Sequence, residues 1–423
     1  APMRFSLGSR WRAILSKFVL LLFGTCIGLT LAEGSVRLLE PDLKDVVEAN
    51  FERHSYRIHA NPRNTVAWRK HPDSGVQHPV IFNSLGLRQH REFPDRRASG
   101  STRIGFFGDS FTANLRLPIH DSFTESLDFL LKQSGLQVEV MNLGTDGYGT
   151  DQLLLHYLDA AAELDLDAVY YVFCQNDLRD ILANELFEIS PSGDLRYRPR
   201  RQPQIWVDLA RRFHLTYFVA RRFVQIREKL APTPWDRGTI LDAEQEKTNR
   251  RRLSQILVAE PSPEKTRALE LFRALMQSFH DATQQNGQSL RVVLLPRYRE
   301  ANLEIQQALG DLGIKTLDLF PRFFPDAEAL EARASYFFRT DSHWNAAGNV
   351  LAAKTLFAEI LPQRGRPVPP DAVVEDWLRR YRAAFVDGSA DPPGGSPSGE
   401  SIRSTYGELR PDSPSWLVTA SGD

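Results

Sequence analysis

Apolar residues along this chain occur in short, nearly continuous runs that alternate with longer stretches of helical periodicity. Unbroken apolar runs are typical of parallel strands that are buried on both faces of a sheet. Five runs are predicted to be strands: Ile104–Phe107, Val138–Leu143, Ala168–Phe173, Val292–Leu295 and Ile314–Leu319. Helical spacing predicts five helices: Ser122–Gln133, Thr150–Leu164, Glu264–Gln285, Leu303–Leu312 and Asn345–Leu361. This alternation predicts an α/β fold, a flavodoxin-like three-layer αβα sandwich around a five-stranded parallel sheet.

The N-terminal region contains a long apolar stretch. Residues 18–32 carry no charge, and residues 14–32 together are long enough to span a bilayer as one transmembrane helix. Basic residues precede the stretch and acidic residues follow it, so the positive-inside rule leaves the rest of the chain outside the cytoplasm. We therefore expect a single-pass protein of the cell membrane with a periplasmic domain. A signal peptide cleaved near residues 30–32, which would give a secreted protein, and a buried core helix stay open as alternatives.

The pattern divides the chain into four parts. They are an anchor or signal segment (1–40), an upstream segment (41–99), the α/β domain (100–370) and a C-terminal extension (371–423). Residues 387–401 consist almost entirely of turn-forming residues, so part of the extension is predicted to be disordered.

A long insertion, residues 180–262, interrupts the α/β domain. Its apolar residues recur at helical spacing, and Arg196–Arg252 contains 13 Arg and 2 Lys against 6 acidic residues. We predict a basic helical insertion. It is either a solvated subdomain or a lid that attracts an anionic polymer or lipid headgroups.

Composition and charge exclude several classes of protein. The 423 residues have 52 Lys+Arg against 53 Asp+Glu and are 42% hydrophobic, which argues against a disordered chain and against a protein that coats nucleic acid. The two cysteines, Cys26 and Cys174, cannot form a disulfide scaffold or a cysteine metal site. The histidines are scattered singly apart from the motif described below, so no metal is expected.

A serine follows the first predicted strand, in the turn Gly108–Thr112. A serine in a tight turn at the carboxyl end of a parallel strand presents its hydroxyl to the crevice where such sheets bind ligands. Its backbone N–H is then available to an oxyanion. Taken alone, Gly-Asp-Ser is also a common structural turn.

Three further polar blocks follow later elements: Asn142–Gly149, Cys174–Asp177 and Thr340–Asn345. Each has a local structural explanation as a glycine-rich turn, an Asn-Asp turn or a histidine near a helix start. Together with Gly108–Thr112, however, they resemble the blocks of the SGNH/GDSL hydrolase family, in the order that the family uses. The resemblance is to exported, membrane-anchored bacterial members and extends over residues 80–362.

The resemblance implies a set of site residues. Ser110 corresponds to the nucleophile, His343 to the general base and Asp341 to the acid that orients the histidine. The backbone N–H groups of Ser110 and Gly147 and the side-chain amide of Asn176 correspond to the oxyanion hole. No cofactor is implied.

Some positions depart from the family pattern or leave an alternative open. Cys174 stands where the family usually has glycine, and Asp341 is separated from the histidine by one residue instead of two. Asp318 is the alternative acid, and Gly144 is the alternative to Gly147 as an oxyanion donor. Residues 82–88 are similar to a short segment that precedes the serine block in exported members, with no role derived for them.

Three functions remain open at this point. The first is a serine-dependent hydrolase of a carbohydrate O-acyl ester or lipid ester outside the cytoplasmic membrane. The second is an O-acyltransferase that modifies an envelope or exported polysaccharide, and the third is a catalytically silent glycan-binding protein of envelope assembly. The expected partners are an acyl-ester substrate, for which a glycan is one candidate, and the lipid bilayer through residues 14–32, with no nucleic acid. A nucleotide-binding module is disfavoured because the first turn lacks a glycine-rich phosphate cradle.

Overall fold

The structure, a computed structural model, describes most of the chain. The described residues are 9–39, 51–94, 97, 99–160, 164–199, 213–216, 218–219, 222, 262–325 and 335–386. They fall into two compact units, one from residues 1–50 and 201–236, the other from residues 51–200 and 237–423.

The first unit contains the long helix α1 (Ser9–Leu39). Its apolar part, Ile14–Leu39, has 26 residues and is about 39 Å long at 1.5 Å per residue, and an 18-residue stretch within it has a mean hydropathy of 2.1. That length exceeds the roughly 30 Å of a bilayer core. Apolar side chains are exposed all round the helix, which favours the membrane anchor and the signal peptide over a core helix. Near its end, the Glu33 carboxylate accepts the backbone N–H groups of His214 at 2.9 Å and Leu215 at 2.7 Å.

The second unit contains the remaining elements. Its strands in the described residues are β1 (Glu52–His54), β2 (Ile58–Ala60), β3 (Thr65–Lys70), β4 (Gln77–Phe82), β5 (Thr102–Gly108), β6 (Val138–Gly144), β7 (Ala168–Phe173), β8 (Phe187–Ile189), β9 (Leu195–Tyr197), β10 (Ser289–Leu294) and β11 (Lys315–Asp318). Its helices there are α2 (Ser110–Ala113), α3 (Phe123–Gln133), α4 (Thr150–Ala160), α5 (Asp177–Asn184), α6 (Pro263–Gln285), α7 (Arg299–Gly310), α8 (Phe320–Phe323), α9 (Ala346–Gln363) and α10 (Asp371–Val386).

The central sheet consists of five parallel strands in the spatial order β6, β5, β7, β10, β11. In chain order this is 2-1-3-4-5, the flavodoxin-like arrangement. The predicted fold class is confirmed, and the five predicted strands lie within three residues of the observed ones. The strand order reverses between β5 and β7, so the crevice for a ligand lies at the carboxyl ends of these two strands.

Helices cover both faces of the sheet. One hydrophobic cluster joins α4, α5, α6 and α7 to one face, and a second joins α3, α9 and α10 to the other. Successive side chains of a strand point to opposite faces of the sheet, so neighbouring strand residues belong to different clusters. Phe107 lies in the first cluster and Phe106 in the second. This is the three-layer sandwich expected from the unbroken apolar runs.

The upstream segment forms two antiparallel ribbons, β1–β2 and β3–β4. The second ribbon buries Val80 and Phe82 in a small cluster with Ala113 and Leu115, just after the serine turn. The residues before the α/β domain are therefore packed against the strand end that carries Ser110.

Two predictions about the later segments need correction. The insertion begins inside α5 but is not helical throughout: residues 187–197 form the β8–β9 hairpin, whose turn at Ser190–Gly193 has Gly193 at φ +89°. Most of the remainder of residues 180–262 lies outside the described residues. The α/β domain also does not end at residue 370, since α10 places Val374, Leu378 and Tyr381 in the core. Residues 387–401 lie outside the described residues.

Candidate active site

Ser110 stands at the carboxyl end of β5, beside the reversal of strand order. β5 ends at Gly108, Asp109 caps α2, and Ser110 is the first helical residue. The Asp109 carboxylate accepts the Phe111 N–H at 3.0 Å, which closes the cap. The first backbone N–H groups of a helix have no acceptor within it, so the Ser110 N–H is available above the sheet edge.

Two glycines allow α2 to pack directly on the strand ends. A Cβ on Gly108 would lie 2.1 Å from Thr112 Oγ1 and 3.1 Å from the Val172 carbonyl oxygen. A Cβ on Gly144 would lie 2.2 Å from the Ala113 backbone nitrogen. Only glycine permits this close approach, so these two positions fix the height of Ser110 above the sheet.

His343 and Asp341 complete a hydrogen-bonded chain with the serine. Ser110 Oγ and His343 Nε2 are 2.6 Å apart, and His343 Nδ1 is hydrogen-bonded to Asp341 Oδ1. The same carboxylate oxygen accepts the His343 backbone N–H at 2.8 Å, so the Asp-x-His spacing is compatible with a paired acid and histidine. Asp318, the alternative acid, instead accepts a hydrogen bond from Asn302 Nδ2 at 2.7 Å.

The loop that carries His343 is held by the core. The imidazole lies 4.6 Å from the Phe111 ring, centroid to centroid, and the Trp344 side chain is buried beside it. Asn345 caps α9 by accepting the Gly348 N–H at 3.1 Å. The imidazole is therefore fixed by packing on one side and by a helix start on the other.

Arg116, which sequence reasoning missed, lies between two carboxylates of the site. Its Nε is 2.9 Å from Asp341 Oδ2, and its Nη1 is 3.5 Å from Asp146 Oδ2. Arg116 follows the serine turn without belonging to a recognisable motif, so no local sequence signal marks it.

Burial and charge set the protonation of the acid and the base. Burial raises the pKa of Asp341, but the hydrogen bonds and charges of His343 and Arg116 outweigh it and hold this pKa well below its usual range. Burial lowers the pKa of His343, and the Arg116 charge lowers it further against the opposing effect of Asp341. His343 is therefore neutral at neutral pH, the form that accepts a proton.

Asn176 lies at the carboxyl end of β7, next to the serine turn. Its Nδ2 donates to Asp109 Oδ2 at 3.2 Å and to Asp180 Oδ2 at 2.9 Å. Ser110 Oγ lies 3.5 Å from the same Asp109 oxygen. Both amide hydrogens thus have carboxylate acceptors, and an oxyanion would have to replace Asp109 as acceptor to receive a bond from Asn176.

Gly147 lies in a turn after β6, the strand that pairs with β5. The Tyr148 N–H donates to the Thr145 carbonyl at 3.2 Å, and Gly147 has φ +77°, which favours glycine at the third turn position. The alternative, Gly144, donates its N–H to Asn142 Oδ1 at 3.0 Å. The Gly144 amide is engaged within the protein, which favours Gly147 as a donor to a ligand.

Cys174 occupies the usual glycine position without disturbing the turn. Its side chain is buried in the hydrophobic cluster that contains α3, and its backbone N–H donates to Asp177 Oδ2 at 3.0 Å. Burial raises the pKa of the Cys174 thiol, which keeps it protonated.

Arg297 follows β10 and lies with its guanidinium 5.8 Å from the Phe111 ring centroid, so it adds a positive charge beside the site.

Residues 82–88, to which the sequence assigned no role, contact the serine turn. Arg88 is buried and donates to the carbonyl groups of Ala113 at 3.1 Å, Asn114 and Leu117. These carbonyls belong to the last residue of α2 and to the stretch that directly follows it. The segment therefore fixes the loop that leaves the serine turn.

The β3–β4 hairpin contacts the other side of the site. Asp73, at the hairpin tip, accepts the backbone N–H groups of Arg339 at 3.0 Å and Thr340 at 3.1 Å. These residues immediately precede Asp341. The upstream segment thus holds both the serine loop and the loop of the acid and the histidine.

Within the described ranges, no group of three His, Cys, Asp or Glu side chains is placed to hold a metal ion.

A flavodoxin-like sheet with a Ser–His–Asp chain at its switch point defines the structural class of SGNH hydrolase-like proteins. Residues 261–383 match the family model described as an SGNH hydrolase-like domain of the acetyltransferase AlgX. This match confirms the resemblance to SGNH hydrolase-like domains. The matched region includes Asp341 and His343 and ends before α10 does.

Solved structures with similarity to this chain include three esterases. The acetylxylan esterase Axe2 from Geobacillus stearothermophilus, as a catalytic mutant, is 12% identical, with a TM-score of 0.35 over 61% of this chain and 94% of that one. The esterase EstA from Pseudoalteromonas sp. is 9% identical, with a TM-score of 0.36 over 63% and 100%. The acetyl xylan esterase AlAXEase is 16% identical, with a TM-score of 0.35 over 61% and 99%. No curated protein matches the sequence.

Proposed function

We propose that this protein is a serine-dependent enzyme that cleaves acyl esters, an ester hydrolase acting on a carbohydrate O-acyl or lipid ester. The observation that carries the proposal is the 2.6 Å contact between Ser110 Oγ and His343 Nε2, with Asp341 on the other ring nitrogen. This is the arrangement that activates a serine hydroxyl as a nucleophile.

The first half of the reaction forms an acyl-enzyme. Ser110 Oγ attacks the ester carbonyl and passes its proton to His343 Nε2, while Asp341 stabilises the imidazolium. The backbone N–H groups of Ser110 and Gly147, and Asn176 Nδ2 once it releases Asp109, donate to the tetrahedral oxyanion. Each such donor contributes about 2.7–4 kcal/mol in comparable sites. The bond from carbon to the alcohol oxygen then breaks, and His343 protonates the leaving alcohol.

The second half of the reaction determines the class of enzyme. In a hydrolase, His343 takes a proton from water, which attacks the acyl group on Ser110 and releases the carboxylic acid. In an O-acyltransferase, a sugar hydroxyl takes the place of water and leaves as an acylated sugar. The match of residues 261–383 to a domain of an acetyltransferase favours the transferase as the second candidate.

The test of the serine mechanism is ester turnover by the full chain in detergent. We expect hydrolysis of p-nitrophenyl acetate or a longer acyl ester, and we expect Ser110→Ala and His343→Ala each to lower kcat by about 10⁴-fold or more. Ser192→Ala in the β8–β9 hairpin and His280→Ala on α6 are controls that leave kcat unchanged. Turnover retained in Ser110→Ala contradicts the proposal. No turnover in the wild type contradicts the hydrolase and favours a strict acyltransferase or the catalytically silent glycan-binding alternative.

The hydrolase and the transferase differ in their products. Acetylated donor, with and without a polysaccharide acceptor, gives either free acetate or an acetylated acceptor, which mass spectrometry and acetate assay distinguish. Free acetate as the main product in the presence of acceptor supports the hydrolase. Acetyl transfer that outcompetes water supports the transferase.

We further propose that α1 places this activity outside the cytoplasmic membrane. The 26-residue, predominantly apolar segment Ile14–Leu39 and the basic residues before it support an anchor with a cytoplasmic N terminus. Intact cells and spheroplasts treated with protease test this placement. Digestion of the α/β domain only after the outer barrier is opened supports a periplasmic location, whereas protection until the inner membrane is lysed contradicts it.

A further inference from the structure

Strand β2 runs beside the loop that follows β6. His59 in β2 and Asn61 just after it are two residues apart, so in an extended chain their side chains point to the same side. Asn61 Nδ2 donates to the Gly144 carbonyl at 2.9 Å, and His59 Nε2 lies 2.9 Å from the Asp146 carbonyl oxygen. The upstream segment is therefore hydrogen-bonded to the end of β6, at Gly144, and to the loop that carries Gly147, at Asp146.

The contact to Asp146 acts on the peptide group of Gly147. A carbonyl oxygen only accepts hydrogen bonds, so His59 Nε2 carries the hydrogen and donates it. The Asp146 carbonyl and the Gly147 N–H belong to one planar trans peptide, in which the two groups point in opposite directions. Fixing the carbonyl therefore fixes the direction of the Gly147 N–H, and the bond also polarises that N–H.

The histidine is itself held on several sides. Its ring lies 4.7 Å from the Phe51 ring and 4.9 Å from the Tyr148 ring, centroid to centroid. The Tyr148 hydroxyl donates to the His59 carbonyl. His59 thus contacts the residues on both sides of Gly147, one through its ring nitrogen and the other through its backbone.

Gly147 has little support of its own. It has no side chain, and no atom lies within 4 Å of the position that its Cβ would take. Its φ of +77° is one of several that glycine adopts without cost, so its own backbone does not hold the turn in one conformation. The direction of its N–H therefore depends on the neighbouring residues and their partners.

We propose that His59 is a positioning residue for the oxyanion hole, which holds the Gly147 N–H towards the developing oxyanion through its hydrogen bond to the Asp146 carbonyl. The inference rests on the proposed serine mechanism. Oxyanion donors are effective because they are oriented before the reaction begins. Loss of the bond from His59 leaves the donor present but less well oriented, which slows the chemical step more than it weakens substrate binding.

The test compares kcat and KM for ester hydrolysis by variants of the full chain in detergent. His59→Ala is expected to lower kcat about 10- to 100-fold, less than the loss of a whole donor, with KM within about twofold. His59→Gln, whose side-chain amide also donates, is expected to recover most of kcat. His54→Ala, on the paired strand β1, is the matched control and is expected to leave both constants unchanged.

A second measurement follows the loop without a substrate. Hydrogen–deuterium exchange of peptides that cover residues 144–149 is expected to rise in His59→Ala and not in His54→Ala. If the wild type shows Ser110-dependent turnover but His59→Ala changes neither kcat nor the exchange, the inference alone is overturned. A change of exchange with unchanged kcat, or a change of KM alone, also overturns it. A wild type without Ser110-dependent turnover overturns the proposed function, and this inference with it.

Discussion

At the scale of single residues, Arg116 links the acid of the site to the oxyanion loop. Its guanidinium contacts Asp341 at 2.9 Å and Asp146, the residue before Gly147, at 3.5 Å. The contact to Asp341 joins positions 225 residues apart, so no local pattern predicts it. The positive charge stabilises the ionised carboxylate and opposes protonation of the imidazole that the carboxylate orients.

The pH dependence of activity follows from these charges. His343 acts as a base only when neutral, and its pKa is lowered from the usual 6.5 by burial and by Arg116. We expect kcat/KM of the wild type to rise with pH through an apparent pKa below 6.5 and to level off at neutral pH. In Arg116→Gln one of the effects that lower the pKa of His343 is absent, so the midpoint moves to higher pH.

Rate measurements between pH 4.5 and 9 check this expectation. Arg97→Gln, which removes an ion pair with Asp167 at the other end of β5 and β7, is the control and keeps the wild-type profile. A midpoint that moves to lower pH in Arg116→Gln contradicts the electrostatic role of Arg116.

At the scale of elements, the contact between α2 and β6 decides where the serine sits. The helix approaches the strand so closely that position 144 has no room for a side chain. The Asn142 side chain adds a hydrogen bond from its Nδ2 to the Thr112 carbonyl at 2.8 Å. The first two sequence blocks are therefore adjacent in space because one packs on the other.

Gly144→Ala tests this contact. Its Cβ meets the backbone nitrogen of Ala113 at 2.2 Å, and backbone cannot move aside as a side chain can, so we expect a loss of about 1–3 kcal/mol in the free energy of unfolding. Gly310→Ala, at the end of α7 with no atom within 4 Å, is expected to be neutral or to stabilise by up to about 1 kcal/mol. Urea unfolding of both variants measures the difference, and equal midpoints would show that α2 shifts without cost.

At the scale of the whole molecule, the second unit is closed by an element that the sequence analysis placed in a tail. Helix α10 buries Val374, Leu378 and Tyr381 against the cluster that contains α3 and α9. These residues are four and three positions apart, a helical spacing that was present in the sequence. The helix was not predicted because residues 371–423 were assigned to one extension on the basis of the turn-forming residues 387–401.

Leu378→Ala is expected to lower the free energy of unfolding by about 2–5 kcal/mol, because it removes a large side chain that is 4% exposed from the core. Its neighbour Arg379 is 77% exposed in a surface ion pair with Asp376, so Arg379→Ala is expected to change stability by about 1 kcal/mol or less. Thermal melting of both variants decides whether α10 belongs to the cooperative unit. Similar melting temperatures would show that it does not.

The sequence was sufficient to predict the central sheet but not the segments that pack around it. The strands of the sheet were predictable because burial on both faces requires unbroken apolar runs, such as Ala168–Phe173. The ribbons of the upstream segment were not, because short half-buried strands such as Ile58–Ala60 show no distinctive pattern. In the site, motifs marked the residues that contact one another, including Ser110 and His343. The residues that hold those loops, such as Asp73, contact positions far away in the chain. A motif covers only neighbouring positions, so it does not predict such contacts.

The site joins residues that are far apart in the order of synthesis. Ser110 and His343 are separated by 233 residues, and the hydrogen bond between Asn114, at the end of α2, and Asn349 in α9 spans 235. At 5–20 residues per second, a ribosome takes about 10 to 50 s to pass from the nucleophile to its base. During that interval the nascent chain contains a serine with an ordinary, unreactive hydroxyl. A chain that ends before His343 would therefore still contain Gly108, Asp109 and Ser110 but would lack the base that activates the serine.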